Sequence, residues 1–317
     1  MRAWQFVGTG QPLALVDIAP RRPGADEVLI EVRAAGLCHS DVSMLNEPQA
    51  IGALLFTPIV LGHEIAGAIV EVGAAVSEWA AGDRVAVCPT VDRSIPGYTR
   101  DGGFAELHVA PAAHLVAVPD EVSLPVAAMT TDAGMTALHA LTTGGGVGPG
   151  MKVGIIGLGG LGQMGARVAV LRGASVHVAE PRREVWALAE ELGASSTVAN
   201  VDEWRNGAFD LIVDYAGMGT TTAAALRAVC TGGTVVLVGL GTLEVTIGAV
   251  DLVKREVRLV GSRGGTIGDI ATLFELIASG DLRPAVTEID FAQIPAGLAD
   301  LAEGKVTGRL VAVGPHI

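Results

Sequence analysis

The chain has 317 residues, half of them hydrophobic, and a formal net charge of −13 at neutral pH. That length holds two domains with buried cores, and the acidic surplus argues against nucleic acid, whose phosphates it would repel. Cys38, Cys88 and Cys230 are the only cysteines, too sparse and odd a set for a disulfide framework.

The first six residues lack the apolar core and small-residue cleavage site of a signal peptide, so a cytoplasmic protein is expected. Residues 28–32 and 66–72 are short apolar runs, and Gly82-Asp83 turns into a third at 84–87. With Pro58, Pro89 and Pro96 punctuating the loops, the first hundred or so residues read as β-rich. Among them stand two polar islands, Cys38-His39-Ser40-Asp41 and Gly62-His63-Glu64. Thiolate, imidazole and carboxylate together suit zinc, and a site with few protein ligands keeps a position open for substrate. Each residue also has a plain structural reading, a buried thiol or a hydrogen-bonded core histidine.

From about Met151 strands and helices alternate. Strands are expected at 152–156, 175–179, 209–213, 234–238 and 258–260, and helices at 161–172, 184–192 and 222–229. Such alternation builds a doubly wound, Rossmann-like parallel sheet covered on both faces, an α/β fold. The most apolar window, 153–171, is broken by glycines at 157, 159, 160, 162 and 165 and carries Gln163 and Arg167, so no membrane span is expected. Residues 291–313 hold a helix-like stretch and a last strand, free to return to the first domain. The expected domains are therefore 1–140 with 284–317, and 141–283.

Gly157-Leu158-Gly159-Gly160-Leu161-Gly162 links the first of these strands to its helix. In that context the glycines allow a tight turn and bring a pyrophosphate to the helix N-terminus. Glu180 follows 23 residues after Gly157, ending the next strand, where an acid accepts hydrogen bonds from ribose hydroxyls. Its charge favours NAD over NADP, although Arg182 and Arg183 are close enough in sequence to pair with an extra phosphate. Gly157, Gly159, Gly160, Leu161, Gly162, Glu180, Arg182 and Gly239 are the cofactor-binding candidates here.

The two islands, with Gly82-Asp83-Arg84-Val85, Asp101-Gly102-Gly103-Phe104-Ala105-Glu106 and Gly308-Arg309, resemble the zinc-dependent alcohol dehydrogenases of the medium-chain dehydrogenase/reductase superfamily. The resemblance runs from Val28 almost to the end. It implies a β-rich, GroES-like catalytic domain beside the nucleotide domain. It also implies one catalytic zinc held by Cys38, His63 and Asp132, with Glu64 as an exchangeable fourth ligand and Asp41 orienting the histidine. Many relatives have cysteine where this chain has Asp132. By the same resemblance Ser40 takes the substrate proton, His39 and Arg309 meet the cofactor pyrophosphate, and Thr136 lies against the nicotinamide.

Two departures stand out. The four-cysteine lobe of a second, structural zinc is missing, since Cys88 passes quickly to Tyr98-Thr99-Arg100-Asp101. Relatives often carry a proton-relaying histidine where this chain has Ser43, and a hydroxyl cannot store a proton near neutral pH as imidazole does. The relay would then run through Ser40, ribose hydroxyls and water. The resemblance implies reversible hydride transfer between an alcohol and NAD; reduction of a conjugated C=C or C=N bond, with zinc absent or idle, is the alternative. Met44, Leu45, Leu54, Leu55, Phe56 and Cys88 hint at a hydrophobic alcohol, primary or secondary. The resemblance also implies a homodimer or homotetramer, since in relatives β-rich segments matching Val235 to Val260 pair across a dimer.

Overall fold

The computed structural model describes residues 1–48 and 54–314. Contacts divide the chain into two compact units, Met1–Asp132 with Thr266–Ile317, and Ala133–Gly265. In chain order the elements are β1 (Arg2–Phe6), β2 (Ala14–Asp17), β3 (Glu27–Gly36), α1 (His39–Asn46), β4 (Ile59–Val60), β5 (Glu64–Val72), β6 (Arg84–Val87), β7 (Leu107–Pro111), β8 (Leu115–Ala117), α2 (Leu124–Met129) and α3 (Met135–His139). There follow β9 (Lys152–Ile156), α4 (Gly160–Leu171), β10 (Ser175–Ala179), α5 (Trp186–Glu191), β11 (Ser196–Val198), β12 (Phe209–Asp214), α6 (Thr220–Ala228), β13 (Val229–Leu237), α7 (Ala249–Arg255) and β14 (Arg258–Gly261). The last are α8 (Ile267–Ala278), β15 (Val286–Asp290), α9 (Ile294–Ala302) and β16 (Arg309–Val313).

The first unit is built around β3. One edge pairs with β5 along its length, while the other is shared by β7 at Glu27–Glu31 and by β16 at Ala34–Gly36. The full order is β15-β16-β3-β5-β6-β8, and β2-β1-β4 forms a small separate sheet. Ile30, Leu37, Ile59, Leu61, Ile65 and Phe104 fill its core, each large aliphatic side chain stabilising the fold by roughly 1.5–3 kcal/mol. The C-terminal tail thus returns to the first unit.

In the second unit all strand pairs are parallel, in the order β11-β10-β9-β12-β13-β14. Numbered within the unit this is 3-2-1-4-5-6, the Rossmann order. Val153, Ile155 and Ile156 of β9 are buried on both faces, as a sheet covered on both sides requires.

The structure adds elements and moves boundaries. The units divide at Asp132/Ala133 and Gly265/Thr266, whereas the sequence suggested 140/141 and 283/284. The second difference has a clear cause: α8, absent from the sequence reading, packs on β8 of the first unit. Its start is fixed by reciprocal caps, Asp269 N donating to Thr266 Oγ1 and Thr266 N to Asp269 Oδ2. The expected helix over 222–229 ends at Ala228, and β13 begins at once, with Gly232 turning at φ +75° within it. Among the described residues no helix is long and apolar enough to cross a membrane.

Candidate metal centre and nucleotide loop

Four donors converge in the first unit. Cys38 sits at the N-cap of α1, His63 and Glu64 lie at the entry to β5, and Asp132 occupies the π-helical turn Thr130–Gly134 that continues α2. One ligand atom from each lies within 4.8 Å of all the others. Cys38 Sγ is 3.5 Å from Asp132 Oδ2, and His63 Nε2 is 3.4 Å from the same oxygen. Asp41, in the first turn of α1, braces two of the four. Its Oδ2 accepts from the Cys38 backbone N–H at 3.0 Å, and its Oδ1 lies 3.5 Å from His63 Nδ1.

Glu64 is fully buried and paired with Arg309, itself only 4% exposed, which β16 delivers from the far end of the chain. The carboxylate has room because its partner across β3 is Gly36, where a Cβ would fall 1.9 Å from Glu64 Oε2. Burial would lower the His63 pKa, but the Asp41 charge and hydrogen bonds with Asp132, Asp41 and Cys38 hold it well above the usual imidazole value. Burial works to raise Asp132, and His63 and Arg309 overcome it, holding the carboxyl well below its usual range. Burial pushes Glu64 up while Arg309 pulls against it. The Arg309 guanidinium stays charged despite burial, held by Glu64, Cys38 and Asp132.

This donor set fits a zinc ion. Zinc bonds of about 2.0–2.3 Å in a tetrahedron put neighbouring ligand atoms about 3.3–3.8 Å apart, and the two separations above fall in that window. Three carboxyls and a thiol face one guanidinium and one imidazole, so the cluster calls for positive charge. Glu64 Oε2 is buried without a hydrogen-bond partner, as befits a spare ligand. A proton on His63 meets part of that demand, and a dication replacing it would displace the proton.

The glycine-rich loop in the second unit divides its labour. Gly157 takes φ +84°, Gly159 has no protein atom within 4 Å of where a Cβ would lie, and a Cβ at Gly162 would strike the Gly157 carbonyl at 1.8 Å. Turn, open approach and close helix packing are the three glycine roles of a dinucleotide loop. Gly160 opens α4 and Leu161 follows in its first turn. A Cβ at Gly239, beyond β13, would fall 2.4–2.5 Å from the Tyr215–Ala216 backbone beyond β12, at the carboxyl ends of the strands where such folds take ligands. Glu180 is 3% exposed, and its Oε2 accepts from Leu158 N at 2.7 Å. Arg182 grips the same carboxylate through Nε at 3.0 Å and Nη2 at 3.3 Å. Burial raises Glu180, but Arg182 and the loop amides lower it further. Arg183 lies over the Trp186 ring, 5.1 Å from its centre.

Residues 24–120 match the alcohol dehydrogenase GroES-like domain and residues 160–279 the zinc-binding dehydrogenase family. An alcohol dehydrogenase of Geobacillus stearothermophilus is 30% identical over 95% of this chain and 96% of its own length. The chain belongs to the zinc-type alcohol dehydrogenases of the medium-chain superfamily. This alcohol dehydrogenase is an oxidoreductase acting on alcohols with NAD or NADP. It is also similar to an NADP-dependent alcohol dehydrogenase C of Mycobacterium bovis, 29% identical over 91% of each chain. Among solved structures, acetophenone reductase from Geotrichum candidum in complex with NAD superposes with a TM-score of 0.91, at 31% identity, covering 98% of this chain and 96% of that one.

Of the residues the sequence singled out, the alcohol dehydrogenase brings Cys38, His63, Glu64, Asp132 and Arg309 into one cluster, with Ser40 Oγ 3.6 Å from Cys38 Sγ. His39 is exposed at the start of α1, and Thr136 is buried in α3. Arg309, expected at a pyrophosphate, is engaged with Glu64, although its Nε has no partner. Ser43 donates to Glu47 Oε1 at 3.2 Å. Met44 and Cys88 are core residues, whereas Leu55 is 71% exposed. One neighbour of the centre was missed altogether: Tyr98, whose ring centre is 5.7 Å from that of His63. Nothing in the sequence marked it beyond its being one of two tyrosines in the chain.

Proposed function

We propose that this alcohol dehydrogenase holds one zinc ion per subunit on Cys38, His63 and Asp132, with Glu64 as an exchangeable fourth ligand, and passes hydride between a hydrophobic alcohol and NAD. The convergence of four sulfur, nitrogen and oxygen donors within 4.8 Å carries the reading. When bound, zinc supplies the Lewis acid that eases loss of an alcohol proton, and NAD supplies the hydride acceptor. The protein's own residues do the rest. Asp41 fixes the His63 ring and the Cys38 backbone, a bracing role whose loss typically costs 10–100-fold in metal affinity. Ser40, beside the cluster, takes the alcohol proton. Arg309 holds Glu64 back until a coordination position needs it.

The nucleotide loop supports NAD. Arg182 is committed to Glu180 and Arg183 to Trp186, so neither guanidinium is idle for an additional phosphate, and Glu180 would repel one. With three cysteines in the whole chain, a second zinc held by four cysteines has no ligands, and one ion per chain is expected.

The deciding experiment is zinc content by mass spectrometry on wild type and Cys38→Ser, each tested with an alcohol panel and NAD. About one zinc per chain, lost in the variant with at least a 100-fold fall in activity, is expected. Wild type that is zinc-free, or active once its zinc is stripped, would overturn this function in favour of a conjugated-bond reductase.

A further inference from the structure

Asp214 is the last residue of β12 and has no exposed surface. Its Oδ1 accepts from Ala216 N at 3.1 Å and from Gly217 N at 2.8 Å. Its Oδ2 accepts from the Thr221 and Thr222 hydroxyls, each at 2.8 Å. The direction of the Thr221 bond is fixed, because that oxygen already accepts from Met218 N at 3.1 Å and has one proton to give. A carboxylate, which only accepts, can take all four donors; an asparagine of the same shape would turn an NH2 group toward two of them. The side chain therefore gathers residues 215–222, the loop after β12 and the first turn of α6, around itself.

That loop stands where the strand order of the second unit reverses. β9 and β12 are neighbours in the 3-2-1-4-5-6 order, and a dinucleotide lies across the crevice that opens at this reversal. The Gly157 turn forms one wall, and residues 215–219 form the other. Tyr215 N donates to Ile156 O at 3.0 Å, and a Cβ on Gly157 would come 3.4 Å from Ala216 Cβ. Residues 238–242 hold the same loop through other contacts. Val238 N and Gly239 N donate to Asp214 O, Gly241 N to Ala216 O and Thr242 N to Gly217 O, at 2.9–3.2 Å. Gly217 takes φ +61°, and a Cβ there would fall 1.8 Å from Gly239 O. The second wall is thus closely fitted to its neighbours, and one carboxylate sets its shape.

We propose that Asp214 is a positioning residue for the dinucleotide: its carboxylate holds the second wall of the crevice and so sets affinity for the half of the cofactor beyond the reversal. The role rests on nucleotide binding at this site and is independent of the metal. The adenosine half belongs on the other side, at Glu180 beyond β10, which supplies an internal control. Wild type, Asp214→Asn and Thr221→Val are titrated calorimetrically with AMP, NADH and NADPH, and assayed on the alcohol panel for kcat and for KM of the tighter-binding coenzyme. Thr221→Val removes one donor at a half-buried position and decides the matter alone if Asp214→Asn does not fold. The dinucleotide should bind about threefold more weakly to Thr221→Val and about tenfold more weakly to Asp214→Asn, with AMP unchanged in both. KM for the coenzyme should rise similarly with no fall in kcat, as expected of contacts made equally in the ground and transition states. Unchanged dinucleotide affinity, AMP weakened as much as the dinucleotide, or kcat lost at unchanged affinity would each overturn the assignment. Wild type that binds none of the three nucleotides would instead bring down the nucleotide site itself.

Discussion

At Glu180 two basic neighbours could have meant NADP, and their positions argue otherwise. Arg182 closes a short fork on the same carboxylate that receives the Leu158 amide, which supports the NAD preference proposed above. Glu180→Gln weakens that fork and removes the repulsion. The ratio of kcat/KM for NAD to that for NADP should fall about tenfold or more, and an unchanged ratio would show that selectivity lies elsewhere. Cys38, His63 and Glu180 were legible because each sits in a short, ordered motif. Asp132 came from family resemblance alone, since a lone aspartate in an apolar helix carries no local signal. Tyr98 was illegible for a different reason. Its place beside His63 depends on a turn packing against Gly62, a contact between segments that no periodicity or spacing encodes.

Among the elements, the pairing of β3 with β5 does most to build the metal centre. Gly36 and Glu64 face each other across that ladder, and the absent side chain at Gly36 is the space the Glu64 carboxylate fills. Gly36→Ala should therefore move Glu64 or split the strands. Overpacking of this kind costs about 1–3 kcal/mol, readable as a lower urea midpoint, with zinc retention reduced beside wild type. A variant as stable and as zinc-replete as wild type would show that the strand relaxes without disturbing the ligand. The sequence betrayed β3, β5 and the Rossmann strands through their apolar runs. It hid α1, whose polar opening, Cys38 to Asp41, shows no helical period, and α8, whose nearly all-apolar face reads as easily as a strand. The π-helical turn at Asp132 was equally hidden, because an extra residue in a helical turn leaves no mark in composition.

For the whole molecule, Leu240, Leu243, Val250 and Val253 are 62–76% exposed on the second unit, and α7 buries none of its residues completely. Large exposed apolar side chains are what a subunit interface would cover, and we propose a second copy of the chain as that cover. Sedimentation should give a dimer or tetramer for wild type, and Leu240→Glu with Val253→Glu should shift it toward monomer. A wild-type monomer at micromolar concentration would remove the proposal. The alternation of strands and helices made the second unit's architecture readable in advance. Its limits were not, because Thr266 to Ala278, which follows the last Rossmann strand and was not read as a helix, packs with the first unit.

The Arg309–Glu64 pair also bears on how the protein is made. The two residues are 245 positions apart, and the second unit is threaded between them as one uninterrupted stretch. At about 5–20 residues per second, a ribosome delivers Arg309 roughly 12–50 s after Glu64. For that interval the nascent first unit has neither the counter-charge for its most buried carboxylate nor β16 along β3, and the second unit gains all its strands before the interval ends. The nucleotide-binding half can thus mature during translation, and the metal-binding half can be completed only when β16 arrives.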